Sequence, residues 1–226
     1  MTAEVPETGA VLRRRRRAVA ATGLVGAALL GGGLTAPAGS RRFYGLTLAT
    51  AAAYAAGALA SGPIRRGSTQ VLGPAALGVG AFGVFYAGGL VARRIPVARR
   101  AISRVLGYAA GGADPLVLAV MLVNGAAEEL YFRGAVYAAA GGRRPALGST
   151  AAYVLATTAT RNPALVFASV LMGTLFAAQR RATGGVQAST ITHLVWSVLM
   201  LRFLPRLFAE EPVRRASASG RSPGGS

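Results

Sequence analysis

Residues 115–140 read PLVLAVMLVNGAAEELYFRGAVYAAA. The stretch is apolar enough and long enough for a bilayer-spanning helix, which needs about 20 mostly apolar residues. Yet Glu128 and Glu129 stand side by side near its centre, with Arg133 four residues on. An ionisable side chain at membrane depth costs roughly 2.5–3.5 kcal/mol on insertion scales. The chain has only 7 acidic residues. Glu4, Glu7, Glu210 and Glu211 lie near the termini, and Asp114 directly precedes the apolar stretch. Two adjacent carboxylates in such a helix mark a functional site by default.

The remaining sequence repeats the apolar theme. Hydrophobic residues make up 53% of the chain and charged residues 14%. Six further spans are predicted: Ala18–Leu34, Tyr44–Ala60, Val71–Ala92, Ala146–Thr160, Ala164–Ala178 and Val186–Leu204. Ala146–Thr160 and Ala164–Ala178 are short. The expectation is an all-α, polytopic membrane protein with about seven transmembrane helices. Their many Ala and Gly residues suit close helix packing in lipid. No strand-like alternation appears, which argues against a barrel.

The formal net charge is +18, and all 25 basic residues are arginine. The absence of lysine, with abundant Ala and Gly, reads as a GC-rich, bacterial coding bias. The arginines fall in clusters between apolar spans, at 13–17, 41–42, 65–66, 93–94, 99–100, 143–144 and 180–181. That is how loops are held on anionic lipid, so membrane lipid is the expected partner and nucleic acid is not. The expected location is the cell membrane, multi-pass. With no cysteine, disulfides, thiolate nucleophiles and sulfur-ligated metals are excluded.

Orientation is not set by the arginines. If 13–17 is cytoplasmic, 93–104 falls outside with five arginines, so either one span is miscounted or 93–104 is an interfacial helix. The start imitates a signal peptide, ending at Ala36-Pro37-Ala38, but its apolar stretch is long and Pro37 precedes the would-be cleavage residue. An uncleaved first span is expected. The chain divides into a disordered basic leader (1–17), N-terminal spans with a basic connector (18–113), a core holding the carboxylates and the single histidine (114–204), and a low-complexity, disordered tail (205–226).

Helical spacing places Asn124, Glu128 and Tyr131 on one face, at i, i+4 and i+7. Glu129 and Arg133 form an i, i+4 pair on a neighbouring face, about 100° away. Arg133 can neutralise Glu129, whereas Glu128 is left without a local cation. A carboxylate so placed can act as a general base on water. The alternative is that both glutamates only lock helices together. His193 shares a helical face with Thr190 and Ser197. A lone histidine in an apolar helix is usually a packed core residue, but this one shares its half of the chain with an unexplained carboxylate. Metal binding is weakly supported. Glu128 and His193 are two possible zinc ligands, with Glu129 a third only if it leaves Arg133, where zinc wants three or four. No cofactor is expected. A Ser–His–Asp triad from Ser197 or Ser189 with Asp114 lacks a nucleophile-elbow context.

Glu128-Glu129-Leu130-Tyr131-Phe132-Arg133-Gly134 resembles the first motif, Glu-Glu-x-x-x-Arg, of the CAAX protease and bacteriocin-processing (Abi) family, which includes Rce1-type prenyl-protein endopeptidases. Residues 173–193, ending Thr190-Ile191-Thr192-His193, resemble the family's later segment carrying His-x-x-x-Asn. The likeness covers residues 114–204 and implies a CAAX-protease-like helical core. There are two departures. The second motif, Phe-x-x-x-His, reads Tyr153-Val-Leu-Ala-Thr157, so Thr157 stands where the histidine belongs, and Ser197 replaces the asparagine. The resemblance implies that Glu128 activates water, that Glu129–Arg133 holds the helix frame, and that His193 with Ser197 polarises the scissile carbonyl or its oxyanion. Asn124 and Thr157 are supporting residues, and no metal is assigned.

The expected function is therefore intramembrane endopeptidase activity on a membrane-bound protein or peptide, with activity impaired by Thr157. The alternatives are a non-catalytic scaffold or peptide-binding protein of the same fold and, on the carboxylates alone, a proton-coupled transporter.

Overall fold

The computed structural model describes residues 9–37, 39–109, 115–142 and 144–208. The elements are α1 (Gly9–Gly33), α2 (Arg41–Ser61), α3 (Leu72–Ala92), α4 (Pro96–Ala109), α5 (Pro115–Glu129), a π-helical segment (Leu130–Val136), α6 (Tyr137–Ala140), α7 (Pro145–Thr158), α8 (Pro163–Thr183) and α9 (Gln187–Phe208). Every element among the described residues is helical, as the composition led one to expect.

Among the described residues, five helices are long and apolar enough to cross a membrane: Arg41–Ser61, Leu72–Ala92, Pro115–Ala140, Pro163–Thr183 and Gln187–Phe208. Their outer surfaces carry large apolar side chains such as Leu59, Leu72, Val84 and Phe167. This is a multi-pass membrane protein. Two of the expected seven spans do not meet that length and composition among the described residues. Helix α7 has 14 residues, about 21 Å of rise against the ~30 Å of a hydrocarbon core. The apolar run 18–34 belongs to a 25-residue helix that starts in the arginine cluster.

That start also corrects the boundary expected at residue 17, because Gly9–Arg17 are helical. Arg15 is buried, and a Cβ built on Gly62 would lie 3.0 Å from its guanidinium. The cation thus sits at the C-terminal end of α2, where the helix dipole favours it. Arg16 Nε donates to the Ala139 carbonyl, 3.1 Å away, at the end of α6. The rest of the expected leader, the tail from 209, and Asp114 lie outside the described residues.

Small residues set how the helices pair. Gly26 lies against the Tyr54 ring and Gly57 against Thr22, so close that a Cβ at either would overlap its neighbour. These contacts make α1 and α2 antiparallel. Helix α2 then packs on α5 and the π-helical segment through Ala51, Tyr54, Ala58, Ala127, Tyr131, Phe132, Ala135 and Val136. Gly78 meets Val195 and the Thr192 carbonyl, and Gly89 meets Leu204 and Leu207, so α3 and α9 run parallel.

Helix α4 is a 14-residue helix with one apolar and one basic face, in the segment where an interfacial helix was one of two alternatives. It buries Ala101 and Leu106 and exposes Arg99, Arg100 and Arg104. It packs on α8 and α9. Asn162 fastens it by donating from Nδ2 to the Ala101 carbonyl at 2.9 Å, while its Oδ1 caps α8 at the amides of Ala164 and Leu165. Arginines therefore gather at both ends of the bundle, near α1's start and near α4, which is why charge alone did not orient the chain.

The connector between α2 and α3, residues 62–71, is an extended strap. The Arg65 and Arg66 carbonyls accept from the Val186 and Gln187 amides at 3.0 Å each, and the Ser68 amide donates to the Thr183 carbonyl at 3.1 Å. The strap satisfies first-turn N–H groups of α9 that have no intrahelical acceptor. Gly67 (φ 80°) and Gly185 permit the contact, since a Cβ on either would overlap the other segment's backbone.

Candidate active site

The site is built on the turn where α5 gives way to the π-helical segment. Asn124 and Glu128 share a face as the spacing predicted. Asn124 Nδ2 donates to Glu128 Oε1 at 2.8 Å. Tyr131, expected on that face, takes no part in the carboxylate's hydrogen bonds. Its hydroxyl donates to the Val19 carbonyl on α1, and its ring stacks on Tyr54 at 4.7 Å.

Glu129 and Arg133 form the expected i, i+4 ion pair, with Nη1 3.2 Å from Oε1 and both side chains fully buried. The approach is a charge contact without hydrogen-bond geometry at Nη1. Arg133 Nη2 donates to the Gly173 carbonyl on α8 at 3.2 Å. Its guanidinium also lies 4.5 Å from the Tyr153 ring centroid and 5.0 Å from that of Phe176. One arginine thus joins α5, α7 and α8. Gly173 makes room for it, because a Cβ there would lie 3.2 Å from both Thr150 and Tyr153.

A π turn frees backbone carbonyls that an α-helix would pair. Two are taken by side chains from other helices: Ser149 Oγ donates to the Phe132 carbonyl at 2.7 Å and Arg180 Nε to the Arg133 carbonyl at 3.0 Å. The wide turn next to the glutamates is therefore held from both α7 and α8.

His193 is buried on α9, but its hydrogen bond is to the second glutamate. Nδ1 donates to Glu129 Oε1 at 3.1 Å. The sequence reading placed His193 in one site with Glu128 and did not include this bond to Glu129. The ring stacks on Phe176 at 4.8 Å and 22° and rests on Gly125, where a Cβ would lie 3.5 Å from Nε2. With Nδ1 committed to Glu129, chemistry toward a substrate falls to Nε2.

The two positions that depart from the family pattern do not join this network. Thr157 is buried, and its hydroxyl donates to the Tyr153 carbonyl of its own helix at 2.8 Å. Ser197 is half-buried one turn beyond His193. Ser189, the other candidate nucleophile, donates to the Val186 carbonyl at 3.0 Å and is fully buried. Among the described residues no group of three or more His, Asp or Glu side chains converges as a metal-ligand set.

One contact escaped the sequence reading. The Tyr153 hydroxyl donates to Glu128 Oε2 at 3.2 Å. The available signal was a phenol, rather than a phenyl ring, at the aromatic position of the second motif. Glu128 therefore takes its hydrogen bonds from two neutral donors, whereas Glu129 takes its contacts from Arg133 and His193.

Residues 112–199 match the family model described as type II CAAX prenyl endopeptidase Rce1-like. Over this stretch the chain is similar to Rce1-like domains, and the match encloses every residue of the site. No curated protein and no solved structure matches the chain.

Proposed function

We propose that this domain is an intramembrane endopeptidase of the cell membrane, hydrolysing a peptide bond of a membrane-associated protein or peptide with a water activated by Glu128. The observation that carries the reading is the division of labour between the two glutamates. Glu129 is paired with Arg133 and His193, while Glu128 is buried, held by neutral donors, and has no cation within ion-pair distance among the described residues. Such a carboxylate contributes little to packing but is suited to accept a proton. Asn124 Oδ1, beside Glu128, supports the same reading, being a buried acceptor without a hydrogen-bond partner among the described residues.

The chemistry follows from these positions. Glu128 takes a proton from water as the oxygen attacks the scissile carbonyl carbon. His193, anchored through Nδ1, turns Nε2 toward the oxyanion and donates to it when protonated. When the C–N bond breaks, Glu128 returns its proton to the leaving amine. Glu129 and Arg133 hold the frame and stay out of the proton path. The test is cleavage of a membrane-bound reporter peptide by the purified protein beside a Glu128→Gln control. Cleavage lost in the control supports the reading, and equal cleavage in both refutes it.

A second reading has one observation in its favour. The Thr157 hydroxyl is spent on its own helix, so nothing at that position moves protons. On this reading the domain binds a membrane peptide without cutting it, and Glu128→Gln leaves the cellular role intact.

A further inference from the structure

We infer that Tyr153 is a positioning residue for this reaction, supplying through its hydroxyl the second hold on Glu128 that position 157 does not supply; the inference rests on the endopeptidase reading above. The Glu128 carboxylate is gripped at both oxygens, and the two donors come from different helices. Asn124 Nδ2, one turn back on α5, holds Oε1 at 2.8 Å. Tyr153 OH, from α7, holds Oε2 at 3.2 Å. A carboxylate fixed at both ends cannot rotate about its terminal bond, and geometric restraint of a base is a large share of what an active site contributes.

The phenol is itself immobilised. The Arg133 guanidinium lies 4.5 Å from its ring centroid, and the Phe132 ring is 4.9 Å from it. Gly173 leaves only enough room for the ring edge, since a Cβ there would lie 3.2 Å from Cδ1. Arg133 thereby connects the glutamates by two routes, touching Glu129 directly and Glu128 through the ring whose hydroxyl it steadies. Thr157 lies one turn further along the same helix, and its hydroxyl turns back to the Tyr153 carbonyl. On α7, then, the hydroxyl that reaches Glu128 belongs to position 153.

The experiment compares wild type, Tyr153→Phe, Thr157→His and the double variant, each in full-length protein reconstituted in lipid. Tyr153→Phe keeps the ring under Arg133 and deletes one donor. Its expected effect is a fall in kcat on the order of tenfold to a hundredfold, the size of one hydrogen bond to a charged group, with KM and thermal unfolding unchanged. An imidazole at 157 in the same background restores rate, so the cost of losing the hydroxyl is smaller beside Thr157→His. Infrared spectroscopy reads the contact without turnover. The carboxylate band that disappears in Glu128→Gln shifts in Tyr153→Phe. Should Tyr153→Phe not fold, 3-fluorotyrosine incorporated at Tyr153 keeps the ring, alters the donor and must shift the same band. An unmoved band overturns the inference. So does an active wild type whose kcat is untouched by Tyr153→Phe, and so does a rate loss matched by a loss of thermal stability. A wild type inactive on every reporter overturns the endopeptidase reading and this inference with it, whereas an active wild type with an indifferent Tyr153→Phe overturns this inference alone.

Discussion

Replacing Arg133 by alanine isolates the charge balance on which the site depends. Arg133 and Glu129 are both fully buried at 3.2 Å. Removing one member of a buried pair costs about 3–5 kcal/mol, because the partner is left as an uncompensated buried charge. Two further features adjust that figure in opposite directions. The guanidinium also lies over the Tyr153 and Phe176 rings, and a desolvated cation over an aromatic face is worth up to about 2 kcal/mol. Against this, His193 remains to hold Glu129 Oε1. The expected loss therefore stays within the same 3–5 kcal/mol. Equilibrium unfolding in mixed micelles measures it. A double-mutant cycle with Glu129→Gln tests the cause. Once the glutamate is neutral no charge is stranded, so Arg133→Ala should cost less in that background, by at least about 1 kcal/mol. If Arg133→Ala unfolds like wild type, or if the two substitutions are strictly additive, the ion-pair reasoning is wrong.

Glu128→Gln should abolish cleavage while leaving unfolding near that of wild type, because the amide replaces a carboxylate that carries no ion pair; reporter cleavage and thermal melts check both halves. Thr157→His should raise the cleavage rate, by as much as the 10²–10⁴-fold typical of a positioned general acid or base, and an unchanged rate would show that proton transfer from that position is not what limits the proposed reaction. Gly185→Ala should destabilise the fold strongly, since its Cβ would overlap the Arg66–Gly67 backbone, whereas Gly80→Ala on α3 meets nothing within 4 Å and should be neutral or stabilising; parallel melts of the two variants separate steric from general effects.

Much of this arrangement was legible because helical spacing is a strong constraint. The i, i+4 contacts Asn124–Glu128 and Glu129–Arg133 both form. What spacing could not show is the π-helical segment. Periodicity assumes one repeat, and here the repeat changes directly after Glu129. Nor could it tell which glutamate meets His193, because that depends on how α9 is rotated against α5, and the rotation is set by small-residue contacts such as Gly125 on the imidazole. Two expected spans miss the length and composition of a membrane-crossing helix: 145–158 is apolar but short, and 18–34 is apolar but continuous with an arginine-rich turn. The Arg65–Arg66 cluster looked like a lipid-facing loop, yet its backbone is structural. Side-chain charge hides that, since the carbonyls do the bonding.

The strap has a consequence for the order in which the protein is made. Its acceptors, the carbonyls of residues 65 and 66, emerge early, but the amides that fill them belong to residues 186 and 187. Ribosomes add roughly 5–20 residues per second, so the strap waits on the order of 6–24 s for its partner. Helix α3 waits with it, since its principal neighbour is α9 and most of its length is otherwise unburied. During that interval α1 and α2 can pair, but the piece between them and the carboxylate helix has nowhere to dock. Assembly is thus closed by α9, the last of the described helices to leave the ribosome, and that helix brings His193. A chain interrupted before α9 would lose its histidine and leave the strap's carbonyls without their partners.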